Sequence, residues 1–131
     1  MRKRFLVWFV TILSFFVLCM AFSACNERKA DDVVITVENA TDGQTLLSYM
    51  ESLQEDGKIT FTVQDGMMVK INGVSNKANS YWMLYTTDMG NADTSWGTYI
   101  YNGKTLGSAI YGAESLVIKN GETYVWTYQT F

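Results

Sequence analysis

The sequence predicts an α+β domain over residues 33–131, with one helix set among many short strands. One segment, near residues 45–55, repeats its apolar residues at helical spacing. Nearly every later segment is alternating, β-branched or aromatic, and turn dipeptides such as Asn120-Gly121 separate these segments. At 131 residues the chain holds one domain and at most an appendage. A composition of 48% hydrophobic, 15% aromatic and 18% charged residues is that of a folding chain.

Residues 1–24 read as an export signal. Arg2, Lys3 and Arg4 form a basic start, and an apolar run from Phe5 to Met20 is broken only by Thr11 and Ser14. Small residues Ala21, Ser23 and Ala24 then lead to Cys25, the order of a secretory signal peptide. The string Phe22-Ser23-Ala24-Cys25 resembles a bacterial lipobox, with Phe22 standing where Leu is preferred. That resemblance implies lipidation of Cys25 and a lipoprotein exported and anchored to the membrane at the cell surface. The alternative is an uncleaved N-terminal anchor helix. Residues 25–32 are then the lipidated Cys and a polar tether. Losing residues 1–24 removes three positive charges and no negative ones, so the net charge falls from −3 to −6. Beyond Cys25 there is no cysteine, hence no disulfide and no thiol nucleophile in the domain.

Within the domain, Val33–Glu38 is β-branched and predicts a first strand. Residues 39–43 are turn chemistry, and Thr41, Asp42 and Thr45 are candidate helix N-caps. Leu46, Leu47, Met50 and Leu53 line one face of the helix, and Asp56-Gly57 ends it. Ile59–Val63, Met67–Ile71, Tyr81–Thr86 and Thr98–Tyr101 predict strands. Ser115–Lys119 and Glu122–Gln129 flank Asn120-Gly121, a pattern that predicts a two-residue hairpin.

Several function classes are disfavoured by composition. With no histidine, the serine-type triad and most zinc sites are absent. No proline-rich or collagen-like reading survives zero proline. With Lys+Arg at 10 against Asp+Glu at 13, there is no nucleic-acid footprint. The acids Asp42, Asp56, Asp65, Asp88, Asp93, Glu114 and Glu122 sit singly, mostly in turns, as solvated positions do. Residues 88–93 (DMGNAD) carry some oxygen-ligand character for calcium but lack EF-hand spacing and its terminal Glu. The chain therefore reads as non-enzymatic, with no metal site.

Aromatic residues are in surplus. Trp82, Trp96 and Trp126 join many tyrosines, more than a domain this small buries with every polar tip satisfied. Strand alternation sends Tyr81, Met83 and Tyr85 to one face and Trp82 and Leu84 to the other. One set packs on the helix; the other covers a second layer or forms an amphipathic platform.

The order of these segments is similar to the transcobalamin-like C-terminal domain family, found in bacterial surface lipoproteins and as the small β domain of animal vitamin B12 carriers. The matching stretches are Lys70-Ile-Asn-Gly-Val74, Tyr81-Trp-Met-Leu-Tyr85, Tyr101-Asn-Gly-Lys-Thr-Leu-Gly107 with Ala109 and Tyr111, and Asn120-Gly-Glu-Thr-Tyr-Val-Trp-Thr-Tyr128. Together they span most of residues 33–131. The resemblance implies a small β-grasp-like fold with one helix packed on a mostly antiparallel sheet. It also implies binding of cobalamin, another corrinoid or a similar small molecule, with no covalently bound cofactor. Tyr81, Trp82, Leu84, Tyr99 and Tyr111 become candidate ligand contacts, and Leu106, Gly107 and Ser108 a turn that approaches the ligand through its backbone. Two departures stand out: no helical partner domain is present, and residues 88–96 (DMGNADTSW) make a longer loop than in the carriers. The expected function is ligand capture for uptake, with an importer or second binding protein as partner. The alternatives are a surface adhesion or scaffold module, or a transporter accessory lipoprotein without small-molecule affinity of its own.

Overall fold

The computed structural model describes residues 30–131; the signal segment, Cys19 and Cys25 lie outside them. The order is β1 (Val33–Thr36), α1 (Leu46–Glu55), β2 (Phe61–Gln64), β3 (Met67–Ile71), β4 (Val74–Ser75), β5 (Ser80–Thr86), a 3₁₀ turn (Met89–Asn91), β6 (Ala92–Tyr101), β7 (Lys104–Ala109) and β8 (Thr123–Thr130). This is α+β: one helix and two antiparallel sheets. Five strands form a sheet in the order β1-β8-β5-β7-β6, and β2-β3-β4 form a smaller one. Two-residue turns at Asp65-Gly66, Asn72-Gly73 and Asn102-Gly103 join neighbouring strands, and both residues of each turn have positive φ. Such turns match the right-handed strand twist, and Gly, Asn and Asp tolerate their conformation.

The helix begins as its sequence predicts. The Thr45 hydroxyl accepts from the Ser48 N–H at 3.2 Å, and Tyr49 N–H bonds the Thr45 carbonyl. The other two first-turn donors reach outside the helix, Leu46 N–H to Leu116 C=O at 2.8 Å and Leu47 N–H to Ala113 C=O at 2.9 Å. Three of the four donors that a helix start leaves open, those of Leu46, Leu47 and Ser48, therefore have partners. That arrangement overturns the hairpin predicted around Asn120-Gly121. Residues 115–119 form no named strand; Val117 makes only an isolated bridge to Thr45. Gly121 has positive φ but Asn120 does not, so the primed hairpin turn is missing. Asn120 instead accepts from Ala40 N–H at 2.7 Å, and β8 pairs with β1 and β5.

Strand alternation divides the large sheet cleanly. Val33 and Ile35, Tyr124 and Trp126, and Trp82 and Leu84 face α1, where they pack with Leu46 and Met50. Met68 and Ile71 of the small sheet complete this core. The two sheets are also pinned by aromatic donors: the Trp82 indole N–H bonds Val74 C=O and the Tyr128 hydroxyl bonds Ser75 C=O, each at 2.8 Å. On the opposite face Tyr85, Leu106 and Val125 form a second, smaller core bordered by Met83, Tyr99 and Tyr101. Here the outer strands come together, since the Tyr99 hydroxyl on β6 donates to Asp32 just before β1. The sheet covers this face with its own curl. Accordingly the Tyr99 hydroxyl titrates above its ordinary range, held by the Asp32 carboxylate and by partial burial.

β6 starts six residues earlier than the predicted Thr98, and its register with β7 shifts between Asp93 and Thr98. The longer loop expected at residues 88–96 is thus a 3₁₀ turn followed by a bulged strand. Leu106, Gly107 and Ser108, predicted as a turn, lie inside β7 and are buried.

Candidate functional site

A cavity of about 340 Å³ opens where β5 and β7 part. The two strands pair only at Tyr85 with Ser108 and Thr86 with Gly107. Beyond that point β7 ends, and Ile110 N–H bonds Asn91 C=O at 3.1 Å rather than continuing the ladder. The resulting wedge is lined by Trp82, Leu84 and Trp126 from the large sheet and by Met67 and Met68 from β3. Residues 108–114 form the remaining wall, with Tyr111 and Glu114 among them. Mostly apolar walls with a few polar groups are the usual make-up of a small-molecule site, and this volume lies at the small end of such sites.

Two glycines let the walls approach. Gly66, in the β2–β3 turn, has φ of +76°, and a Cβ there would lie 3.1 Å from the Glu114 carboxylate. A Cβ on Gly112 would meet the Gly66 carbonyl at 3.4 Å. The β2–β3 turn and the loop after β7 thus meet closely beside the cavity.

Its polar inventory is short. Ser108 is 7% exposed, and its pairing with Tyr85 sets its side chain on the face of Tyr85 and Leu106, away from Trp82 and Leu84. Asp65 and Glu114 are exposed carboxylates on the lining, and no lysine or arginine lines it.

Of the sequence-predicted ligand residues, the cavity brings together Trp82, Leu84, Ser108 and Tyr111. The others lie elsewhere. Tyr81 sits against Phe131 with ring centroids 6.3 Å apart, and its hydroxyl donates to Ala78 C=O. Tyr99 is on the opposite face, 5.6 Å from the Tyr85 ring. Leu106 is fully buried in the second core. Gly107 lies under β6, where a Cβ would meet that of Ala92 at 2.9 Å. Of the tryptophans, Trp82 is 6% exposed and Trp96 64% exposed. The sequence reading missed Met67, Met68, Trp126, Asp65 and Glu114 as lining residues. Only Trp126 left a signal, since alternation along β8 sets it on an aromatic face; it pairs across strands with Leu84.

The calcium-like stretch has another occupation. Asp88 is buried and accepts from Gly90 N–H, from the Asn91 side chain at 2.8 Å and from the Lys119 ammonium at 3.2 Å. Burial opposes its charge, but these partners outweigh it and hold the carboxyl below its ordinary 3.8. Among the described residues no group of three or more His, Cys, Asp or Glu side chains is placed to hold a metal ion. Tyr124, buried under the helix, titrates above its ordinary range chiefly through burial. No helix among the described residues is long and apolar enough to cross a membrane.

No family model, curated protein or solved structure matches this chain.

Proposed function

We propose that this protein is a non-enzymatic, surface-anchored lipoprotein that captures a small amphipathic ligand in the cavity between β5 and β7. The supporting observation is the convergence of Trp82, Leu84 and Tyr111 on one opening between β5 and β7. Ser108 has no histidine to activate it anywhere in the chain, and a serine without a base is a poor nucleophile. In this reading residues 1–24 direct export, Cys25 carries the lipid and residues 25–32 tether a β-grasp-like domain to the membrane.

The ligand class is a corrinoid, on the similarity of residues 70–74, 81–85, 101–111 and 120–128 to the transcobalamin-like domains. A site of this size admits one edge of such a ring. The rest would lie over Met67 and Tyr111, which are exposed beside the opening. Binding would rest on apolar contact and on hydrogen bonds to the ring's amide side chains, and an importer or second binding protein would cover the open side.

The test is a titration of the full chain in detergent with cobalamin, followed by tryptophan fluorescence and corrected for inner-filter absorption. Saturable quenching at micromolar ligand, weakened by Tyr111→Ala and by Met67→Ala, is the expected outcome. Lack of saturation rejects a self-sufficient corrinoid site, and quenching unchanged in both variants places the ligand elsewhere.

A further inference from the structure

We infer that β6 is a self-association edge: two copies of this chain pair their β6 strands antiparallel over residues 98–101, joining two five-stranded sheets into one.

The hairpin register decides which backbone groups β6 leaves free. β6 ends its sheet beyond β7, with no strand on its other side. Tyr101 pairs with Lys104, and Tyr99 with Leu106, across the Asn102-Gly103 turn. Both turn residues have positive φ, the hairpin geometry in which the two flanking residues exchange both of their hydrogen bonds. Tyr101 and Tyr99 therefore direct their N–H and C=O groups at β7, and the alternation of an antiparallel ladder turns those of Thr98 and Ile100 outward. These four outward groups have no strand partner among the described residues. The Tyr99 contact with Asp32 is made by side chains and does not occupy this backbone edge.

A second copy completes the edge. When two β6 strands run antiparallel with Tyr99 at the two-fold axis, Thr98 of each stands opposite Ile100 of the other. Those two pairs form four hydrogen bonds and engage all four outward groups of each copy. The bulge sets the limit of this pairing. The register of β6 with β7 shifts between Asp93 and Thr98, and Gly97 approaches the Tyr85 hydroxyl, 3.6 Å from where its Cβ would lie. The regular stretch is thus residues 98–101, and the hairpin turn of the second copy arrives where the bulge begins.

Side chains suit the same arrangement. Ile100 is 70% exposed and Trp96, in the bulge, is 64% exposed, so apolar surface borders the free backbone groups. Residues 94–101 carry no charge in a chain of net charge −3, so two copies meet there without like-charge repulsion. β6 also holds no lysine or proline, the residues that commonly keep an exposed edge unpaired. Four backbone bonds and a short apolar strip make a weak dimer. Tethering to one membrane, as proposed above, raises the local concentration that such a dimer needs.

The experiment follows amide exchange by NMR in the full chain in excess detergent as its concentration rises from about 10 μM to about 1 mM. Tyr99 and Tyr101 should be protected throughout, whereas Thr98 and Ile100 should exchange fast when dilute and slow by at least about fivefold when concentrated. In a mixture of labelled and unlabelled chain, the two Tyr99 Hα protons should show an intermolecular contact, because they face each other across the axis. Ile100→Lys and Ile100→Glu each place like charges near the axis and should abolish the concentration dependence. Mixing these two variants should restore it. Position 100 is exposed, and unchanged protection of Tyr99 and Tyr101 checks that each variant keeps the fold.

Fast exchange of Thr98 and Ile100 at every concentration overturns the inference and leaves the edge to water or to a strand of another protein. Self-association that persists undiminished in Ile100→Lys, or that is not restored in the mixture of the two variants, also overturns it. So does an intermolecular contact that maps away from β6.

Discussion

Replacing Trp82 with phenylalanine tests whether this side chain is first a structural joint. Its indole N–H is the donor to Val74 C=O across the two sheets, and its ring packs on Tyr128 at 5.2 Å. Phenylalanine keeps an aromatic ring but removes the donor, leaving the carbonyl without this partner at a cost of about 1 kcal/mol. The smaller ring also gives up apolar contact and leaves unfilled space, worth about another 1 kcal/mol. A loss of about 2 kcal/mol should lower the thermal midpoint by roughly 10 °C for a domain of this size. Urea unfolding of the full chain in detergent, with an unchanged m-value, is the check. Trp82→Ala should cost roughly 3–5 kcal/mol. Because the Tyr128 hydroxyl bonds the adjacent carbonyl of Ser75, Tyr128→Phe with Trp82→Phe should depart from additivity. If Trp82→Phe costs less than about 0.5 kcal/mol, the indole is not holding the sheets together and the reasoning fails.

Three further outcomes follow from the packing. Gly107→Ala should destabilise by about 1–3 kcal/mol in chemical unfolding, because its Cβ would collide with Ala92 of β6. Thr45→Ala should cost about 1 kcal/mol and raise amide exchange in the first helical turn, where Ser48 N–H loses its acceptor. The Asp88 carboxyl titrates below its ordinary 3.8 in the fold, so its contribution is full at neutral pH and is lost as pH falls below that value. An acid titration of stability in Asp88→Asn should therefore be shallower below about pH 4 than in the wild-type chain.

Local chemistry was legible where it acts alone. Thr45 caps its helix whatever the rest of the fold does, because the bond closes within three residues. Leu46 and Met50 reached the core because helical spacing places them on one face. Asp65-Gly66, Asn72-Gly73 and Asn102-Gly103 form tight turns, as Asp-Gly and Asn-Gly dipeptides between strands predict, since few other residues tolerate their backbone. Asn120-Gly121 carried the same signal and made a different structure. There the start of α1 needed acceptors, and residues 113–116 supplied them by leaving the hairpin.

The candidate site was half legible for a related reason. Alternation put Trp82 and Leu84 together on one face of β5, but no local pattern states that β7 leaves β5 after Ser108. That departure creates the cavity and brings the Asp65-Gly66 turn beside Glu114, two positions 49 residues apart. Tyr99 and Leu106 carry the same residue types as a ligand platform, yet the curl of the sheet buries one and latches the other to Asp32.

The helix, most of the strands, the tight turns and the two-faced character of β5 were readable along the chain, because all of them depend on interactions a few residues long. Strand order, the fate of residues 113–119 and the place of the cavity emerged with long-range packing alone. Those depend on which distant hydrogen-bonding groups and apolar faces compete for the same partner, and periodicity along a chain carries no record of that competition.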